Sequence, residues 1–165
     1  RQADQLDGLD ALAIPGGEST TLMKLMDAFG FWEPLGAFAA SGRPVFGTCA
    51  GAILLASEVL NPRQRSLGAM DITVERNSYG RQRDSFEGAG PFRPRPGGEV
   101  EIEMVFIRAP RITRLGAGVE ALGECLGDTV VARQGSLLAA TFHPELSAGA
   151  HVHRHFLEMT GEAGG

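Results

Sequence analysis

Apolar residues in the first half of the chain come in short unbroken runs closed by glycine and proline. Leu9 to Ile14 is one run, stopped by Pro15-Gly16-Gly17, and Pro44 to Gly47 is another. Each reads as a strand covered on both faces, because a half-buried strand would alternate apolar and polar positions. Between them the period changes. Leu22, Leu25, Met26 and Phe29 recur at i, i+3, i+4 and i+7, which is one face of a helix. Ser19 or Thr20 is placed to cap its start, and Gly30 ends it. A second helix is expected from about Pro34 to Gly42, and a third begins over Gly51 to Ala56. This β-α-β-α order predicts an α/β fold around a parallel sheet with helices on both faces.

The second half is richer in strands. Asp71 to Arg76, Val100 to Ile107, Val119 to Leu122, Thr129 to Gln134 and Leu137 to Phe142 all read as extended. Tyr79 to Gly98, rich in Gly, Pro and Arg, reads mostly as loop. His151 to Met159 predicts a closing helix. No internal repeat and no linker interrupts the chain, so residues 1–165 are expected to form a single domain.

Composition narrows the function classes. Hydrophobic residues make up 43% and charged residues 21%, which excludes collagen, disorder and coiled coil. The formal net charge of −5 argues against a nucleic-acid surface, so Arg81, Arg83, Arg93 and Arg95 read as a solvated or partner-facing loop. No apolar run reaches the roughly 18 residues that span a bilayer. Two cysteines are too few for a disulfide scaffold. With a polar, acidic opening in place of a signal peptide, they give a cytoplasmic expectation.

Three segments carry candidate chemistry. Gly47-Thr48-Cys49-Ala50-Gly51 is a G-x-C-x-G pattern between a predicted strand and a predicted helix. That is the setting of a nucleophile elbow with sulfur in place of oxygen. The helix that follows points its N-terminal dipole at Cys49 and is expected to favour thiolate. Thr141-Phe142-His143-Pro144-Glu145 supplies a base and a carboxylate to orient it. Pro144 biases His143 towards extended geometry, and with a period of two His143 and Glu145 are expected to point to the same side. Pro15-Gly16-Gly17-Glu18-Ser19 lies at a strand end, and its Gly17 N–H can join the Ala50 N–H in an oxyanion hole. Ligands in open α/β sheets bind where strands end.

Other signals are weaker. Gly116 to Ala121 fits G-x-G-x-x-A without the strand and helix that a dinucleotide site needs. Of His151, His153 and His155 only two share a helical face, so no metal is expected. Cys125 reads as a core residue.

The pieces Pro15-Gly16-Gly17-Glu18-Ser19-Thr20, Gly47 to Gly51, Glu75 to Gln82, Phe106-Ile107-Arg108-Ala109-Pro110 and Phe142 to Leu146 occur in that order. Together they resemble the glutaminase subunits of pyridoxal 5′-phosphate synthases, a family of class I glutamine amidotransferases. The likeness runs from about Leu9 to Met159. It implies a three-layer, flavodoxin-like fold and hydrolysis of L-glutamine to glutamate and ammonia through a thioester. It further implies that the ammonia passes to a (β/α)₈-barrel synthase subunit in a hetero-oligomer, for vitamin B6 biosynthesis. By the same likeness Cys49 is the nucleophile, His143 the base and acid, and Glu145 the orienting carboxylate. Gly17, Glu18, Ser19, Arg76, Ile107 and Arg108 would bind the glutamine, with no cofactor. Family members carry a strand, a glycine-rich loop, a helix and a second strand that are expected to precede Arg1. The Gly16-Gly17 region is expected to be mobile or wrongly oriented in the isolated subunit and ordered once the synthase docks.

Two other readings stay open on the residues alone. One is a related Cys-His-Glu hydrolase acting on peptides or γ-glutamyl compounds. The other is a regulatory protein that only docks on a synthase.

Overall fold

Successive residues of two central strands enter different cores. In β2 (Val45–Thr48), Val45 faces one hydrophobic cluster and Phe46 the other. In β10 (Leu137–Ala140), Leu137 and Ala139 join the first cluster, Leu138 and Ala140 the second. A strand with a core on each side has no polar position to spare, which is why these runs are unbroken. The computed structural model describes residues 3–76 and 85–162.

The remaining elements follow the chain. After β1 (Leu12–Ile14) come α1 (Ser19–Phe29) and α2 (Trp32–Ala40). Past β2 lie α3 (Ala50–Leu55), β3 (Ala56–Leu60) and β4 (Met70–Glu75). The antiparallel part contains β5 (Ser85–Arg95), β6 (Gly98–Ile107), β7 (Arg111–Leu115), β8 (Glu120–Cys125) and β9 (Asp128–Gln134). After β10 the chain makes a short 3₁₀ turn, Pro144–Leu146, and closes with α4 (His151–Glu162). Seven strands form one sheet in the order β1-β2-β10-β9-β8-β5-β6, and β3-β4-β7 form a second. β1, β2 and β10 run parallel, whereas β9, β8, β5 and β6 extend the same sheet antiparallel. The sheet is therefore mixed rather than parallel throughout.

One core packs α1, α2 and α3 against the three-stranded sheet and one face of β2 and β10. The other packs Val152, Phe156 and Met159 of α4 over Phe46, Phe92, Phe106 and Leu138. Cys125 is buried in this second core with its thiol toward the Ala89 carbonyl, as a packing residue would be. Among the described residues no helix is long and apolar enough to cross a membrane.

Three elements differ from the sequence expectations. Ser85 to Arg95, inside the expected loop, is an eleven-residue strand. Its partly or fully buried positions include Phe86, Gly88, Gly90 and Phe92 at a spacing of two. Two of the four are glycines, which show no hydropathy; a Cβ on Gly90 would run into the Glu124 carbonyl oxygen. β3 and β7 were not expected either. The cap of α1 is Glu18, not Ser19 or Thr20: its carboxylate accepts the Thr20 and Thr21 N–H groups at 3.0 and 2.8 Å. On α1 only Met26 of the apolar face is buried, while Leu25 and Phe29 are exposed beside an apolar groove along β1. β1 is an edge strand, with a sheet neighbour on one side only among the described residues.

Candidate active site

The elbow forms because two glycines let three pieces of backbone meet. Cys49 follows β2 and precedes α3 with φ 48° and ψ −102°. This conformation costs a non-glycine residue about 1–3 kcal/mol, and surrounding structure must enforce it. The Cys49 N–H is held by the Ala140 carbonyl at 2.8 Å. A Cβ on Gly47 would lie 2.5 Å from the Gly51 carbonyl carbon, and one on Gly51 would run into the Ile14 carbonyl oxygen. The G-x-C-x-G spacing is thus a packing requirement between β1, β2 and α3. Gly51→Ala is expected to displace the elbow, lowering thermal stability by about 1–3 kcal/mol and removing most activity. A melting curve and a turnover assay on the purified variant check this; unchanged values for both would show that the close approach does not matter.

The Cys49 side chain is buried at 5% exposure. Burial pushes its thiol pKa up, against the backbone N–H groups of Ala50 and Gly17, which hydrogen-bond toward the sulfur and pull it down. The nearby Glu145 carboxylate adds to the rise and Arg108 opposes it. The expectation that the helix dipole would favour thiolate is therefore corrected. α3 has six residues, and desolvation outweighs what its N-terminus contributes. The same contacts direct the Gly17 N–H at the sulfur, so of the two states expected for the Gly16-Gly17 region the wrongly oriented one is not what the structure shows. Gly17 has φ 150°, a conformation that favours glycine. Gly16 packs between His143 and Cys49: a Cβ there would collide with the imidazole and lie 3.3 Å from the Cys49 Cβ.

His143 leaves β10 and anchors its N–H on the Val105 carbonyl of β6 at 2.8 Å. Glu145 Oε1 lies 2.8 Å from His143 Nδ1. The pairing expected from sequence is present, but by another route. Glu145 stands in the 3₁₀ turn Pro144–Leu146, not on a continued strand. His143 is mostly covered and Glu145 is about half exposed.

Cys49 and His143 line a small open cavity of about 190 Å³ with Gly17, Glu18, Ser19, Arg76, Ile107 and Arg108. All six residues expected to bind substrate thus surround the candidate nucleophile. Ala50 and Glu145 stand just behind it, on the sulfur and the imidazole. The volume is below the roughly 300–1,000 Å³ of pockets for drug-sized ligands and suits something as small as an amino acid. A larger apolar groove beside β1 contains none of this chemistry.

Opposite charges are sorted around the cavity. The Glu18 carboxylate is lowered to a pKa of about 2, first by the Thr20 hydroxyl and then by the Thr20 and Thr21 backbone amides. It also lies 3.9 Å from the Arg76 guanidinium. Arg108 follows β6 at φ 44°, a strained turn at the cavity wall.

Ile53 and Pro110 also line the cavity and were not singled out from sequence. Ile53 sits one helical turn beyond Cys49, and its N–H is bonded to the Cys49 carbonyl at 3.2 Å; that spacing was the available signal. Pro110 ends the Ile107-to-Pro110 piece. Of the Glu75-to-Gln82 piece, residues 77–82 lie outside the described residues, as do Arg81 and Arg83 of the arginine-rich stretch. His153 and His155 pack edge-on against Phe46 and Phe92. Among the described residues no group of three His, Cys, Asp or Glu side chains is placed to hold a metal ion.

Comparison with known proteins gives a consistent result. Residues 1–162 match the model of the SNO glutamine amidotransferase family. The chain is 52% identical to the pyridoxal 5′-phosphate synthase subunit PdxT of Corynebacterium jeikeium, covering 99% of this chain and 84% of that one. It is 50% identical to the PdxT subunit of Niallia circulans, with the same coverage. A crystal structure of a glutamine amidotransferase superposes with a TM-score of 0.88 at 45% identity, over 98% of this chain and 84% of that one. The fold alone is shared with PurLQS from Thermotoga maritima, at TM-score 0.62 and 12% identity over 95% of this chain and 79% of that one.

Proposed function

Because this chain belongs to the SNO glutamine amidotransferase family, we propose that it hydrolyses L-glutamine to L-glutamate and ammonia and hands the ammonia to a pyridoxal 5′-phosphate synthase subunit. One observation carries the reading. The buried Cys49 thiol lies under the Gly17 and Ala50 N–H groups, beside an imidazole held by a carboxylate, in a cavity of amino-acid size.

The steps follow from the groups present. Cys49 Sγ attacks the carboxamide carbon while His143 takes the thiol proton. The oxygen of the tetrahedral intermediate is stabilised by the Gly17 and Ala50 N–H groups. His143 returns the proton to the nitrogen, the C–N bond breaks, and ammonia leaves a thioester. Water then attacks with His143 again as base, the C–S bond breaks, the proton returns to sulfur, and glutamate departs. Glu145, on Nδ1, fixes the tautomer in which Nε2 faces the reaction. Glu18, Ser19, Arg76, Ile107 and Arg108 hold the amino-acid end. No step needs a metal or cofactor.

Residues 1–165 act as one glutaminase domain in the cytoplasm. Its partner is a (β/α)₈-barrel synthase subunit in a hetero-oligomer. The PdxT relatives are named as subunits of pyridoxal 5′-phosphate synthase, which supports that partner.

The test is ammonia release by the full-length protein, followed by product formation with its synthase. Glutamine is expected to be turned over, and asparagine and γ-glutamyl peptides are not. An ammonium salt should replace glutamine in the complex. Faster cleavage of γ-glutamyl peptides than of glutamine would favour the related-hydrolase reading. Absence of any glutamine turnover, with or without the synthase, would leave only a docking role.

A further inference from the structure

The loop joining β3 to β4, residues 61–69, contains none of the motifs used above, yet it reaches the cavity. Ser19 Oγ donates a hydrogen bond to Gln64 Oε1 at 3.1 Å. Ser19 is the first residue of α1, is buried at 5% exposure and lines the cavity. The loop is fastened on the far side of Gln64. The Leu67 N–H is bonded to the Leu54 carbonyl at 2.7 Å, and the Gly68 N–H to the Ala56 carbonyl at 3.2 Å. Next to Gln64, the Arg65 guanidinium lies 4.0 Å over the Trp32 ring and 3.6 Å from the Asp27 carboxylate. That carboxylate also accepts the Trp32 indole N–H at 2.6 Å. Gln64 is thus presented to Ser19 from a braced segment.

We propose that Gln64 is a positioning residue for the substrate: by taking the Ser19 hydroxyl proton it fixes Ser19 Oγ as an acceptor, and through it the cavity selects a substrate bearing an N–H donor, the α-ammonium of a free amino acid. This rests on the glutaminase reading. A hydroxyl has one donor and two acceptor positions. Once Gln64 uses the donor, only acceptors remain for the cavity. The neighbouring Glu18 carboxylate is already engaged by Thr20, Thr21 and Arg76. Gly17 and Arg108 contribute donors, which suit a carboxylate or a developing oxyanion instead.

The experiment is a double-mutant cycle between Ser19→Ala and Gln64→Met, measured as glutamine turnover by the full-length protein with its synthase. Gln64→Met is expected to raise KM for glutamine about fivefold, the size of one neutral hydrogen bond, with kcat within about twofold. The melting temperature should not change. Gln64→Glu keeps an accepting oxygen and should restore KM. In the Ser19→Ala background Gln64→Met should add nothing. The preference for glutamine over 4-carbamoylbutanoate, which lacks the amine, should shrink in Gln64→Met. Additive losses, a fall in kcat instead of a rise in KM, or an unaltered amine preference would overturn the proposal. So would a Ser19→Ala variant with unchanged KM, and in that case continued loss of turnover in Cys49→Ser would leave the glutaminase reading standing. A wild-type protein that fails to turn over glutamine at all would overturn both.

Discussion

Cys49→Ser is expected to lower glutamine turnover by about 10³-fold or more while leaving the melting temperature unchanged. The substitution replaces one buried atom and keeps the Ala140 and Ile53 backbone bonds that hold the elbow. What it removes is the more readily ionised nucleophile. A glutamine-like electrophile should label Cys49 and spare Cys125, which is buried in the core under α4, where burial and the nearby Asp128 carboxylate both push its thiol pKa up. Labelling centred on Cys125 would overturn the assignment. The pH response has a definite sign. Burial raises the Cys49 thiol pKa, so thiol is the form at neutral pH and thiolate grows as pH rises past the ordinary thiol range. Alkylation of the free protein by iodoacetamide should therefore climb through alkaline pH. A plateau below pH 7 would mean that sulfur and imidazole had already exchanged the proton before substrate arrived.

His143→Asn is expected to cost about 10³-fold in kcat with little change in KM, and Glu145→Gln only about 10- to 100-fold. The difference follows from exposure. His143 is packed against Gly16, is anchored on the Val105 carbonyl and lines the cavity with Cys49, so its imidazole is the group placed to carry the proton. Glu145 is about half exposed, so water can take over part of its hydrogen bond to Nδ1. Steady-state kinetics on both variants check this. Equal losses would show that the carboxylate does more than orient the ring, and a large rise in KM for His143→Asn would place the imidazole in binding rather than in chemistry.

The elbow was legible in the sequence because its glycines answer to two backbone collisions that no other residue would survive. His143 and Glu145 were legible as a pair, but the turn between them was not. Proline biases His143 away from helical backbone, and nothing local announces that Pro144 then starts a 3₁₀ turn. Glu18 escaped as a cap because serine and threonine beside it are the commoner choice, and only the fold shows whose oxygens reach the free amides. β5 was missed because glycines occupy two of its inward positions, leaving the period of two without a hydrophobic signature. Gln64 had no signal at all: its role depends on a loop that crosses to α1, and pairing between distant segments leaves no mark in either of them.

The contact of Gly51 with Ile14 has a consequence for how the state of this protein can be followed. The elbow is not a local conformation. Its left-handed cysteine is enforced by β1, by the Ala140 carbonyl of β10 and by α3, all of which must be assembled first. A peptide spanning only residues 44–56 would relax to ordinary backbone angles, and its thiol would behave like free cysteine. The reactivity of this one sulfur is therefore a built-in reporter of chain assembly. Its rate of modification, followed during refolding from denaturant, should change at the step that seats β1 beside β2, and should register that step separately from the burial of Cys125 in the core under α4.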